Sequence, residues 1–293
     1  MINRKKVFVI GNGESRKELD LAELNKYGKT YGCNALYRDY IPDALICVDD
    51  RMMHQVYWSG YAEKNVCYFR DWHKLPAEVY ENVVQSHLIF DDHAQSLEGK
   101  VYVNPRNGRN EFVLHGQNVD RIKDLDNIIR TDPQAVEILR EEDYEMLTGG
   151  KASGLWISWV AEEDKVTSTD FLPGDTDYGF SAGPLCNVIA TWVENPDEVY
   201  LVGMDLYSQT DSVNNVYKGT EGYLQEGGNA IPPDTWIKNH KMIFDKFPEV
   251  QYYKANPDPL TKGDTISQEI KEWKDTPNLE YLTYADMFGK LAG

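Results

Sequence analysis

Over the first hundred residues, short β-rich runs alternate with segments whose apolar residues recur at helical spacing. KVFVI (Lys6–Ile10) predicts a strand, ended by Gly11, Asn12 and Gly13. A helix is expected from about Ser15, a candidate N-cap, with Leu19, Leu21 and Leu24 as its apolar positions. Further strands are predicted at residues 30–33, 44–48, 66–69, 87–90 and 101–103. Strands separated by helical stretches imply right-handed β-α-β crossovers, and hence an α/β, Rossmann-like, mostly parallel sheet.

From Asn104 to about Asp177 the pattern loosens. EFVLHGQNVD reads as a hairpin arm, residues 132–147 as an acidic helix broken by Gly149 and Gly150, and KVTSTDFLPGDTDYG as a turn-rich stretch. Residues 104–177 are expected to form an insertion or lid beside the sheet, with residues 1–103 and 178–293 making one nucleotide-binding domain. Regular patterning then returns. A buried helix is predicted at residues 184–193, a strand over EVYLV (Glu198–Val202) and a loop over residues 203–228. An amphipathic helix follows at 233–247 with Trp236, Ile237, Met242, Ile243 and Phe247 on its apolar stripe. A strand at 250–253 and a short amphipathic helix at 284–291 complete the chain. No repeat or low-complexity segment is present.

Charge narrows the function classes. Thirty Lys and Arg stand against 48 Asp and Glu, a net charge of −18 over 293 residues. Nucleic-acid binders neutralise phosphates with clustered basic residues, and none cluster here; docking on anionic membranes is disfavoured for the same reason. A hydrophobic content of 41% with 12% aromatic residues is that of a globular chain able to bury a core without staples. The run VFVI is too short for a signal peptide and no 18-residue apolar stretch exists, so neither a targeting segment nor a membrane span is expected. Cys33, Cys47, Cys67 and Cys186 lack metal-type spacing and read as buried reduced thiols, in keeping with a cytoplasmic protein.

Ligands of open parallel sheets bind beyond the carboxyl ends of the strands. Five segments fall there: Gly11 to Ser15; Cys33 and Asn34; Asp49, Asp50 and Arg51; Ser181, Ala182 and Gly183; and Gly203 to Tyr207. The Gly-Asn-Gly turn is neither the dinucleotide fingerprint, which needs a third glycine, nor a Walker loop. It is either a plain tight turn or a close approach to a phosphate at the N-terminus of the following helix.

These segments, read as VFVIGNGES, YGCN, FSAG and VYLVGMDLY in that order, resemble the bacterial lipooligosaccharide sialyltransferases. That family has a Gly-Asn-Gly-Pro-Ser loop, a Cys-Asn strand end, a Thr-Ser-Gly helix start and a strand closing on Gly-Ile-Asp-Phe-Tyr. The resemblance covers roughly residues 5–50 and 180–255. It implies a GT-A-like sheet and transfer of sialic acid or a related acidic sugar from a CMP-sugar donor to a glycan or glycolipid acceptor. No metal cofactor is required. Gly11, Asn12, Gly13, Ser15, Asn34, Gly203 and Asp205 would line the nucleotide site, and Ser181, Ala182 and Gly183 would hold ribose or phosphate. Tyr207 would donate a hydrogen bond to the leaving phosphate, because preorganised donors stabilise charge developing there. A homo-oligomer is compatible with this reading.

The chain departs from the family at three places. Asp49 stands where the family has Asn. Tyr217 is the candidate for a second phosphate-binding Tyr. The stretch GGNAIPPDTW lacks the family's catalytic His, leaving Asp234, Glu226 or His240 as the base for the acceptor hydroxyl. No GxSxG nucleophile elbow is present. The same edge signature also resembles hydroxymethyl-dihydropterin pyrophosphokinase-like proteins and motility accessory factors. Under that alternative Asp49 and Asp50 hold Mg²⁺ for diphosphate transfer, unless they simply cap the helix that follows. A degenerate nucleotide- or glycan-binding protein is the non-enzymatic alternative, supported by the missing His.

Overall fold

The computed structural model describes residues 4–49, 52–53, 55–56, 59–70, 101–104, 111–114, 165–173, 180–208, 212–257 and 269–293. In chain order its strands are β1 (Lys6–Ile10), β2 (Lys29–Cys33), β3 (Ala44–Cys47), β4 (Cys67–Phe69), β5 (Val101–Asn104), β6 (Glu111–Leu114), β7 (Val166–Ser168), β8 (Glu198–Val202), β9 (Gln251–Asn256) and β10 (Leu279–Thr283). The α-helices are α1 (Tyr61–Lys64), α2 (Ala182–Glu194), α3 (Asp234–Lys246) and α4 (Tyr284–Ala292). Two compact units are formed, residues 1–56, 65–68 and 171–293 in the first and 57–64 and 69–170 in the second.

In the first unit the sheet runs β10–β9–β8–β1–β2–β3–β4, with parallel pairing from β10 through β3. The expected Rossmann-like α/β sheet is therefore present. The order reverses between β1 and β8: the chain builds outward from β1 to β4, then returns to place β8 on the other side of β1. Such a reversal opens a crevice at the carboxyl ends of the two strands, because their connections leave in opposite directions.

Alternate residues of each strand bury on opposite faces. Val7 and Val9 of β1, Val199 and Leu201 of β8, and Leu185, Cys186 and Ile189 of α2 share one buried cluster. Each such side chain stabilises the fold by about 1.5–3 kcal/mol. On the other face Phe8, Tyr200 and Tyr253 stack in a row, with centroids 5.2 and 4.8 Å apart. All four cysteines are buried free thiols. No helix of the described residues is long and apolar enough to cross a membrane.

In the second unit β5 and β6 pair antiparallel, Val101 opposite Leu114, so EFVL is the hairpin arm its pattern predicts. Residues 104–170 of the expected insertion fall in this unit. The strand predicted at 87–90, the helix at 132–147 and the glycine pair at 149–150 lie outside the described residues.

Two expectations are corrected within the first unit, and one strand is added. No α-helix follows Gly13; two 3-10 turns, Glu14–Arg16 and Leu21–Lys26, stand there, the second capped by Asp20 accepting from the Ala22 N–H. On α3 the buried face carries Asn239, His240 and Phe244 besides Ile237 and Ile243, whereas Trp236 and Met242 are only half-buried. And β10, which its sequence LEYLT did not announce, adds an outer parallel strand beside β9.

Candidate functional site at the strand-order reversal

The loops that leave β1 and β8 are bound to each other. The Gly11 N–H donates to the Val202 carbonyl (2.8 Å) and the Gly13 N–H to the Gly203 carbonyl (2.9 Å). Glycine is required at 11, since a Cβ there would lie 2.5 Å from the Gly203 oxygen. At 13 the Cβ would lie 2.3 Å from the Asp205 carboxyl carbon. That carboxylate, 4% exposed, accepts from the Ser15 N–H (3.0 Å) and from the Ser15 hydroxyl. Burial raises the Asp205 pKa, and the Ser15 bonds, with the Lys254 charge, oppose the rise. The Glu14 N–H donates to Asn214 Oδ1 (2.7 Å), and Asn214 Nδ2 donates in turn to the Tyr207 carbonyl (2.7 Å). The N–H groups of Gly11, Gly13, Glu14 and Ser15 are thus all engaged, with Asp205 supplying the anion. The loop does not offer these groups to a phosphate, because the β8 side of the crevice already satisfies them.

Arg16 explains why the turn stays tight. It is 4% exposed and donates from Nε to the Gly11 carbonyl (2.9 Å) and from Nη2 to the Tyr217 hydroxyl (2.8 Å). The Tyr217 hydroxyl donates to Asp39, whose carboxylate also lies 3.5 Å from Arg16 Nη1. Tyr217 is thereby held inside the protein as a strut. Asn12, 8% exposed, is similarly committed: its Nδ2 donates to the Cys33 carbonyl (3.0 Å) and to the Tyr223 hydroxyl (3.2 Å).

Three polar groups at this edge are different. The Ser181 hydroxyl stands at the N-cap of α2, is buried, makes no capping bond and has no partner. Beside it the N–H groups of Ala182 and Gly183 open the helix, and Gly183 fits closely against Met204, 3.3 Å from where a Cβ would be. Asn34 adopts φ +53° and holds a buried Oδ1 without partner, while its Nδ2 lies 3.5 Å from Asp49. The third is the Tyr207 phenol. Its residue follows Leu206, a bulky side chain at φ +63°, which costs about 1–2 kcal/mol of backbone strain. Strain of this kind persists where surrounding structure imposes it and clusters at working sites. Burial raises the Tyr207 pKa, and the carboxylates of Glu272 and Asp234 raise it further. Asp234 begins α3 and is exposed.

His240 does not join this group. It is 0% exposed, shares a 3.2 Å contact with Asn187 through Nδ1, and packs on Phe244 and Trp273. Burial, and secondarily the Lys254 charge, lower its pKa to about 3. An imidazole sealed in the core has no path to an acceptor hydroxyl, so the expectation of a base at His240 is withdrawn. Asp50 lies outside the described residues.

Sequence reasoning missed Arg16, Asn214, Tyr223 and the buried Lys254. Arg16 had a signal, as a cation directly after a glycine turn in an acidic chain. For Asn214 and Tyr223 the signal was the glycine-punctuated, Tyr-containing stretch after β8. No protein-family model, curated protein or solved structure matches this chain.

Proposed function

We propose that the chain transfers a sugar, sialic acid or a related acidic sugar, from a CMP-activated donor to an acceptor hydroxyl. The observation that carries this reading is the Tyr207 phenol. It follows the strained Leu206 in the loop that leaves β8 at the strand-order reversal, near the carboxylates of Glu272 and Asp234. In this reading the donor phosphate lies against the N–H groups of Ala182 and Gly183 and the Ser181 hydroxyl, where the helix dipole favours an anion. The acceptor oxygen attacks the anomeric carbon, the sugar–phosphate bond breaks, and CMP leaves with the electron pair. Tyr207, protonated at neutral pH as a phenol ordinarily is, donates a hydrogen bond to the phosphate oxygen as charge grows on it. Asp234 takes the acceptor proton in place of the absent His.

The test is thermal and kinetic. CMP at about 100 times its dissociation constant stabilises a protein that binds it by about 2.7 kcal/mol, and this shift is expected in EDTA. Tyr207→Phe is expected to lower kcat while leaving CMP affinity near wild type, since the phenol acts chiefly in the transition state. Stabilisation by ATP that needs Mg²⁺ and disappears in Asp49→Ala would instead favour diphosphate transfer. No shift with any nucleotide would favour a non-catalytic binding protein.

A further inference from the structure

Residues 213–228 form a closed loop over the ends of β1 and β2. The Val213 N–H donates to the Gly228 carbonyl (2.8 Å) and the Gly219 N–H to the Leu224 carbonyl (2.7 Å). Gly219, Gly222 and Gly227 sit at φ +76°, +83° and +86°, a backbone that favours glycine. The tip is exposed, with Leu224 46% accessible. In that tip the Tyr223 side chain turns inward, and Arg38 holds its neighbours, donating from Nη1 to Thr220 Oγ1 and from Nη2 to the Glu221 carbonyl, both 2.8 Å. The Tyr223 phenol oxygen accepts from Asn12 Nδ2 (3.2 Å) and from the Ala35 N–H (3.3 Å), and its ring lies 5.6 Å from that of Tyr217. Two donors, one from each of the adjoining strand ends, therefore converge on one oxygen. The turn that supplies the Ala35 N–H also holds Asn34, with positive φ and an unpartnered buried Oδ1.

We propose that Tyr223 is a latch: its phenol oxygen fills the position of a ligand acceptor atom at Asn12 and Ala35, and ligand entry displaces it and releases the strap 219–228. The inference rests on the nucleotide reading above. An atom that replaces the phenol must accept two hydrogen bonds, as the carbonyl oxygen of a pyrimidine ring does. Arg16, bonded to Tyr217, keeps the base of the strap anchored, and release of the glycine-rich tip also breaks the Arg38 bonds to Thr220 and Glu221. A site occupied by its own side chain binds with an affinity reduced by the fraction of time it is open.

Two measurements in EDTA decide this. Calorimetry on Tyr223→Phe, which keeps the ring and loses both bonds, is expected to show CMP binding roughly 3- to 10-fold tighter than wild type. Hydrogen exchange on the wild-type protein needs no substitution. The amides of Gly219, Tyr223 and Gly228, all bonded within the strap, are expected to exchange faster when CMP is added. If CMP binds but these amides slow, or Tyr223→Phe binds equally or more weakly, the latch is wrong and Tyr223 is a structural or ligand-contacting residue. If CMP binds neither protein, the nucleotide reading falls and the latch with it.

Discussion

At the scale of single residues, the site is defined by which polar atoms are spent and which are not. Asp205 shows the first case. Its carboxylate satisfies Ser15 at both backbone and side chain, and that is feasible only because residue 13 has no Cβ. Gly13→Ala therefore has to push Asp205 away and strand a buried carboxylate. The expected cost is about 1–3 kcal/mol or more in urea denaturation, the range for overpacking a close contact. CMP affinity is expected to fall as well, since the β1 and β8 loops part. Wild-type stability in this variant would mean that the two loops are not clamped by Asp205. Leu206 and Asn34 show the second case: both have positive φ, and the Asn34 Oδ1 is buried without a partner.

At the scale of elements, the proposed phosphate site falls on a helix N-terminus and not on the glycine loop. A 3-10 turn of three residues after β1, with its N–H groups already bonded, lacks the aligned dipoles of an α-helix. The 13-residue α2 has them. Its N-cap makes an unusual prediction. Replacing an N-cap Ser by Ala typically costs about 1 kcal/mol. Ser181→Ala is expected to leave the melting temperature nearly unchanged, because the hydroxyl makes no cap bond, yet to weaken CMP binding. Thr283→Ala at the N-cap of α4 is the contrast. Its Oγ1 accepts from the Asp286 N–H (3.0 Å), so the full cost of about 1 kcal/mol is expected. Equal losses of stability in the two variants would show that the Ser181 hydroxyl serves the helix after all.

At the scale of the whole molecule, the buried titratable groups couple stability to pH. His240 has a folded pKa of about 3 against an ordinary 6.5. The unfolded chain therefore binds a proton below 6.5 that the folded core refuses. The His240 contribution is fully present above pH 6.5 and is lost as pH falls towards 3, at up to about 1.4 kcal/mol per pH unit. Asp205 acts with the opposite sign near and above its ordinary value of 3.8, because its folded pKa is raised. Comparing wild type with His240→Gln isolates the histidine: the variant is expected to lose much less stability between pH 6.5 and 4. Parallel profiles for the two proteins would place the acid sensitivity elsewhere.

The alternation of KVFVI, KTYGC, ALIC and EVYLV with polar and helical stretches determined the strands of an α/β sheet by itself, because burial periodicity is a local property of the chain. It also determined that the segments after β1, β2 and β8 share one edge, since parallel strands carry their following loops to the same side. The strand LEYLT escaped notice because β10 is only partly buried and so carries a weak pattern. Tertiary structure alone decided that Asp205 and Asn214, some 190 and 200 residues away, take the N–H groups of Ser15 and Glu14. It alone also sealed His240 under Trp273 and turned Tyr223 onto Asn12. Which partner saturates a polar group depends on distant residues that folding brings together, and no local periodicity records that.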